Sequence, residues 1–140
     1  MVRLQDENQM SIGQLARTGG VGVETIRYYQ RLGLMSLPAR PQGGGVSGGT
    51  RKYGLPDAER LTFIRSAQAA GFTLKQIARL IELDATSDRV EVRQMARERI
   101  SALDDQIRDL KRARAALNRL AHQCDDTDSG PCPILTAFEV

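Results

Sequence analysis

Residues 11–34 read SIGQLARTGGVGVETIRYYQRLGL, and this stretch decides the fold. Ser11 is a candidate N-cap, and Gln14 three residues later completes a capping-box pattern. Ile12, Leu15 and Ala16 then mark one apolar face at helical spacing. Gly19-Gly20 ends that helix. A second helix is predicted over residues 23–32, with Gly33 closing it. Two short helices across a glycine-containing turn form a helix-turn-helix pattern, whose second helix would lie in the DNA major groove.

That second helix carries Glu24, Thr25, Arg27, Tyr28, Tyr29 and Arg31. Arginine bonds guanine edges or phosphates, and Tyr and Thr hydroxyls bond phosphates. Adjacent helical residues point about 100° apart, so at least one of Tyr28 and Tyr29 is expected in the core. Charge agrees with a phosphate-binding front half. Residues 1–75 hold 10 Lys+Arg against 5 Asp+Glu, whereas residues 76–140 hold 10 against 12.

Outward from the helix pair, residues 38–54 read PARPQGGGVSGGTRKYG. Six glycines and two prolines exclude a helix here. Strand-like pieces at 34–37 and 50–53 are expected to pair as a hairpin, a wing with the glycine-rich insert at its tip. Arg51-Lys52-Tyr53 supplies a basic-aromatic cluster at its base. Pro56 suits the first turn of a third helix, with Phe63, Ile64, Ala67 and Ala70 as its apolar stripe. Thr73 caps a fourth, in which Ile77, Leu80 and Ile81 face a core. Residues 84–88 read as a polar break.

A long helix follows, predicted over about residues 90–122. One heptad set is Ile100, Ile107, Arg114 and Ala121; the other is Leu103, Leu110, Leu117 and Cys124. A helix of that length spans about 50 Å, too long to bury its seam on so small a head, so a second copy of the chain is the expected partner. Arg114 in the seam would fix its register.

Cys124 and Cys132 are the only cysteines, seven residues apart in CDDTDSGPC. No apolar run approaches the ~18–20 residues that span a bilayer, and the N-terminus has no signal-peptide core. A cytoplasmic location is therefore expected, where paired cysteines are metal ligands or redox switches more often than structural disulfides. Thiolates are soft ligands for Cu(I) and its congeners, Zn, or Hg(II) by extension, and two of them accept linear coordination. Asp125, Asp126 and Asp128 read as solubilising, and His122 would point to another side of the helix from Cys124. With one His, no acid pair beside a nucleophile and no P-loop pattern, an enzyme is not expected.

VETIRYYQRLGL, GTRKYG and RLTFIRSAQAAGFTLKQIARLIEL together closely resemble the MerR family of bacterial transcription regulators. The resemblance covers nearly all of the chain. It implies a mainly α fold: a winged helix-turn-helix head over residues 1–85, a dimerising antiparallel coiled-coil helix over 89–123, and a metal-binding loop and tail over 124–140. It implies double-stranded promoter DNA and RNA polymerase as partners, a homodimer, no membrane, and activation by distorting the promoter. By resemblance, Thr25, Arg27 and Tyr28 contact DNA from the recognition helix, Arg51, Lys52 and Tyr53 from the wing, and Arg65 from the third helix. The insert GGGVSGG makes the wing longer than the family pattern. CDDTDSGPCPIL resembles the metal loop of the family's metal sensors, with Cys124 and Cys132 as ligands. Seven intervening residues match its copper, silver and gold sensors, so Cu(I), Ag(I) or Au(I) is the favoured ion. Its mercury, zinc, cadmium and lead sensors have about eight, with a third cysteine whose position falls near Asp88-Arg89 here. Arg89 would neutralise an anionic dithiolate around a +1 ion. Hg(II), or a thiol-redox signal, stays open.

Overall fold

The computed structural model describes residues 10–39, 51–127 and 129–138. Among these are six helices: α1 (Ile12–Gly19), α2 (Val23–Arg31), α3 (Leu55–Ala69), α4 (Leu74–Thr86), α5 (Arg89–Asp125) and α6 (Pro133–Ala137). The chain divides into two compact units, Met1–Val92 and Arg93–Val140. The wing insert at 43–49, Thr50, Asp128 and the N-terminal residues 1–9 lie outside the described residues. No helix among the described residues is long and apolar enough to cross a membrane.

In the first unit, α1 packs on α2 and α3, and α3 packs on α4. Local chemistry sets where these helices begin. Ser11 Oγ accepts the Gln14 N–H at 3.2 Å while Gln14 Oε1 accepts the Ser11 N–H at 2.8 Å, the reciprocal box expected from sequence. Thr73 and Gln76 repeat it at the start of α4, at 3.1 and 2.9 Å. Asp57 accepts the Gly54 N–H at 2.9 Å and steadies the start of α3, with Pro56 in its first turn. Leu15, Ile26, Leu61, Ile64 and Ile77 are fully buried and knit the four helices into one core. Gly19 is required by packing: a Cβ there would lie 2.8 Å from Leu61 Cγ. The absent side chain lets α1 approach α3.

Three expectations change. Residues 34–37 and 50–53 do not form a ladder among the described residues. Leu34 and Met35 give their N–H groups to the Tyr29 carbonyl, at 2.9 and 3.4 Å, so they cap the end of α2. Tyr53 instead exchanges both main-chain hydrogen bonds with Met10, at 2.8 and 3.0 Å, as an isolated antiparallel bridge. In α3, Leu61, Ile64 and Ala67 face the core, whereas Phe63 is exposed. The polar break at 84–88 shrinks to two residues. α4 runs on to Thr86, ending at Ser87 in the left-handed region (φ 57°), and Leu83 is buried. Asp88 then accepts the N–H groups of Val90 and Glu91, at 3.2 and 3.3 Å, and starts α5 at once.

The first turn of α5 belongs to the head. Arg79 of α4 grips Glu91 with two nitrogens, at 2.9 and 2.7 Å, and also reaches Glu82 at 3.1 Å. The Glu91 hydrogen bonds hold the Arg79 guanidinium well above its ordinary pKa, with Glu82 adding to them. Hydrogen bonding from Arg79 holds the Glu91 carboxyl below its own ordinary value.

In the second unit, α5 continues to Asp125 with no buried residue. Ile100, Ile107, Leu110 and Leu117 of the heptad seam are all exposed in the single chain. Cys124 sits in the last turn of α5 rather than in a loop, and a short helix, α6, follows Cys132.

Candidate functional sites: a basic helix-and-wing face and a thiol pair

α2 splits its residues cleanly. Ile26 and Tyr29 turn inward, and Tyr29 donates its hydroxyl to Gln68 Oε1 of α3 at 2.7 Å. Tyr28 stays 44% exposed, with the Arg31 guanidinium 5.8 Å from its ring centroid. Arg27 is exposed and tied only to Glu24 at 3.1 Å, an i,i+3 pair open to solvent. Such a pair is weak, so a phosphate or base edge can take the guanidinium over. Thr25 is half-buried one position before Ile26. Arg65 of α3 is exposed.

The wing base is organised by side chains. Arg51 Nε donates to the Pro38 carbonyl at 2.9 Å, which uses one of its five N–H groups and leaves the rest of the fork. Lys52 is exposed. Tyr53 departs from the sequence expectation. At 2% exposure its ring belongs to the core, and its hydroxyl accepts from Gln30 Nε2 at 3.0 Å. A side chain placed so offers DNA no surface. Lys52 keeps its own because strand-like alternation sends it to the opposite face, whereas Arg51, on the same face as Tyr53, stays partly accessible.

The second site is the thiol pair. Cys124 Sγ and Cys132 Sγ lie 3.5 Å apart, half-buried and unbonded. The return from α5 is local. The Asp126 N–H donates to the His122 carbonyl at 3.2 Å and the Thr127 N–H to the Cys124 carbonyl at 3.3 Å. Gly130, with φ 98°, makes the reversal that a side chain would strain. Cys132 stands at the N-cap of α6. The backbone N–H of Leu135 facing its sulfur, then the Cys124 thiol, then the Ile134 N–H, pull its pKa below the ordinary thiol value. Cys124 moves the other way: hydrogen bonding to Cys132 raises it, with the Cys132 charge, burial and Asp125 adding. The hydrogen bond between the sulfurs thus favours charge on Cys132 and disfavours it on Cys124.

Among the described residues no third His, Cys, Asp or Glu gathers with this pair. The donor set is two soft sulfurs, which fits a soft ion and not a hard one. Spacing tests the fit further. With metal–sulfur bonds of about 2.3 Å, tetrahedral geometry sets two sulfurs about 3.8 Å apart and linear geometry about 4.6 Å. A disulfide needs about 2.0 Å. At 3.5 Å the pair stands near a metal bite and well outside a bond. Sequence reasoning named both thiols, which the fold brings together, and Arg27, Arg51 and Tyr28, which it leaves at least partly accessible. It missed Gln30, Gln68 and the Arg79–Glu91 fork, because polar residues whose partners are 12 to 39 positions away carry no local signature.

Comparison with known proteins identifies the family. Residues 10–84 match the MerR HTH family regulatory protein family, and residues 58–120 match the family described as MerR, DNA binding. A mercuric resistance operon regulatory protein of Serratia marcescens is 34% identical over 131 residues, 93% of this chain and 88% of that protein. The HTH-type transcriptional regulator HmrR of Rhizobium leguminosarum bv. viciae is 34% identical over 128 residues, 90% of this chain and 95% of its own. Among solved structures, a Ralstonia metallidurans transcription regulator in complex with lead(II) superposes with TM-score 0.67 at 28% identity, covering 94% of this chain and all of that one. A Bacillus megaterium MerR in complex with mercury(II) gives TM-score 0.63 at 28% identity, over 93% and 98% of the two chains. The chain belongs to the MerR family of helix-turn-helix transcription regulators.

Proposed function

We propose that this chain is a soft-metal-responsive transcription regulator that binds promoter DNA as a homodimer and activates transcription when Cys124 and Cys132 hold the ion. The observation that carries the reading is the sulfur pair at 3.5 Å, with no third ligand gathered beside it among the described residues. Arg27 and Tyr28 on α2, Arg51 and Lys52 at the wing base, and Arg65 on α3 form the DNA face, with Thr25 beside them. Tyr53 supports that face from the core. The exposed α5 seam forms the dimer. RNA polymerase is the downstream partner, engaging a promoter whose shape the bound dimer changes.

Hg(II) is the ion placed first. Relatives named for mercuric resistance match over 93% of the chain, and a mercury(II) complex is among its structural neighbours. Two thiolates neutralise Hg(II) completely. This reverses the preference for Cu(I), Ag(I) or Au(I) drawn from the loop spacing, the missing third thiol and Arg89. The monovalent reading keeps two specific supports: seven residues separate the cysteines, and Asp88-Arg89 holds no thiol. Zn(II) prefers four ligands, which this pair lacks.

The test begins with reduced protein and a duplex selected from a randomised pool. Transcription from that site is read at matched free Hg(II), Cu(I), Ag(I) and Zn(II), with a peroxide arm. Hg(II) is expected to induce strongly, and Cys124→Ser or Cys132→Ser to abolish induction while apo DNA binding persists. Induction surviving in both serine variants would end the thiol-pair reading. Induction by peroxide alone would make the chain a redox sensor. Induction by Ag(I) and Cu(I) without Hg(II) would return the choice to the loop spacing.

A further inference from the structure

We infer that Gln30 is a positioning residue for DNA recognition: its single side-chain amide fixes the wing base to the recognition helix. Gln30 lies near the end of α2 and is half-buried. Its Nε2 donates to two acceptors, the Ser36 carbonyl at 3.3 Å and the Tyr53 hydroxyl at 3.0 Å. Both belong to segments that frame the wing. Ser36 follows α2 on the way into it, and Tyr53 closes the way out.

The anchors at either end are firm. Tyr53 is 2% exposed, and its main chain is bound twice to Met10, the residue before the Ser11 cap of α1. On the neighbouring position of α2, Tyr29 donates to Gln68 and so ties the same helix to α3. Two adjacent residues, 29 and 30, thus each hold a Tyr–Gln bond, one toward α3 and one toward the wing. Arg51, two residues before Tyr53, then reaches Pro38, two residues after Ser36. The rungs across the wing base are therefore Gln30–Ser36, Gln30–Tyr53 and Arg51–Pro38.

The described residues contain no strand ladder across this base, so these side-chain bonds do the work of register. Gln30 supplies two of the three. Without it, Arg51 would approach phosphate from a base that has lost its side-chain ties to α2 and keeps only its main-chain bonds to Met10 and Tyr29, and binding would bear the cost of ordering it further. The inference rests on the proposed DNA face, so the test separates failure of the two. Operator affinity is titrated against salt for the full chain and for Gln30→Leu, Arg51→Ala, Arg27→Ala and the Gln30→Leu Arg51→Ala double variant.

Gln30→Leu is expected to weaken binding roughly tenfold and to lower the salt slope by about one phosphate contact. Its effect is expected to shrink below about twofold in the Arg51→Ala background, because it acts through the wing. Tyr53→Phe removes only the hydroxyl and is expected to reproduce the loss in milder form, which covers the case of a poorly folded Gln30→Leu. Full additivity of Gln30→Leu with Arg51→Ala, or affinity and salt slope unchanged in both Gln30→Leu and Tyr53→Phe, overturns the inference. If Arg27→Ala and Arg51→Ala also leave binding unchanged, the DNA face itself is wrong.

Discussion

Replacing Leu110 with alanine tests whether the exposed seam of α5 is a dimer interface. Leu110 occupies the heptad set with Leu103 and Leu117 and is 70% exposed in the single chain. Burying a leucine side chain fully is worth about 1.5–3 kcal/mol. Covering the part of Leu110 still open is therefore worth about 1–2 kcal/mol in each chain. A two-fold interface uses the residue twice, so truncating it removes about 2–4 kcal/mol from the dimer. The dissociation constant is expected to rise roughly 30- to 1,000-fold. Sedimentation equilibrium over nanomolar to micromolar protein reads that change directly. Asp109→Ala, one position off the seam, is the matched control and is expected to move the constant less than threefold. The head should stay folded in both variants, since Leu110 lies outside the unit that ends at Val92. A Leu110→Ala constant within threefold of the parent, or a parent that is monomeric at micromolar concentration, would refute the reasoning.

Other consequences can be measured on the same protein. Cys132, whose pKa is lowered, is expected to be alkylated faster than Cys124 near neutral pH, as mapped by mass spectrometry; equal rates would contradict the preference for charge on Cys132. Gly19→Ala is expected to destabilise the head by about 1–2 kcal/mol, because crowding Leu61 outweighs the helix propensity gained. A chemical denaturation midpoint at or above the parent's would show that Leu61 yields easily. The Arg79–Glu91 brace follows a definite pH course. The folded Glu91 pKa lies below its ordinary 4.5, so its contribution is present above that value and is lost as pH falls through the folded pKa. Melting curves of the parent and Glu91→Gln are expected to differ slightly at pH 7 and to converge in acid; a gap that widens on acidification would reverse the sign.

How much could be read from sequence depended on how local the determinants were. Ser11–Gln14 and Thr73–Gln76 are complete within four residues, and the first box and the Thr73 cap were legible. The alternation of apolar positions marked Leu15, Ile64 and Ile77 for the same reason. Tyr28 and Tyr29 stand undivided in the sequence reading, although Tyr29 lies three positions after Ile26 on the buried face of α2; what the sequence could not show was the partner of its hydroxyl, Gln68, 39 positions away. Tyr53 looked like a surface contact because Arg51-Lys52-Tyr53 is basic and aromatic as a string, whereas the fold buries its ring and extended backbone turns only Lys52 to the opposite face. Among the described residues the expected hairpin pairing gives way to other hydrogen bonds. The Tyr29 carbonyl takes the N–H groups of Leu34 and Met35, and Met10 takes both main-chain groups of Tyr53. The thiols were found by type and spacing, but their 3.5 Å approach required the turn at Gly130 and the cap position of Cys132.

The choice between a divalent and a monovalent ion comes down to charge, because two thiolates are equally soft toward both. A dithiolate around a +2 ion is neutral, and around a +1 ion it carries one negative charge. Asp125 follows Cys124 directly, and its charge is among the causes that raise the Cys124 pKa. The same field that discourages a thiolate at Cys124 discourages a complex with net negative charge there, and bears less on a neutral one. Exposed Asp126 adds to it at longer range. Arg89, at the start of α5, is the cation that sequence reasoning offered in compensation, and it is exposed. The loop's own carboxylates would then favour the neutral complex of the proposed Hg(II) over an anionic one. Asp125→Asn Asp126→Asn is then expected to strengthen Ag(I) binding a few-fold relative to Hg(II) at low ionic strength, with the gain fading as salt screens it. Competition titrations against a thiol chelator at two salt concentrations would read the ratio. A ratio unchanged at low salt would show that loop charge does not set the preference, and would leave the bite of the two sulfurs as the remaining determinant.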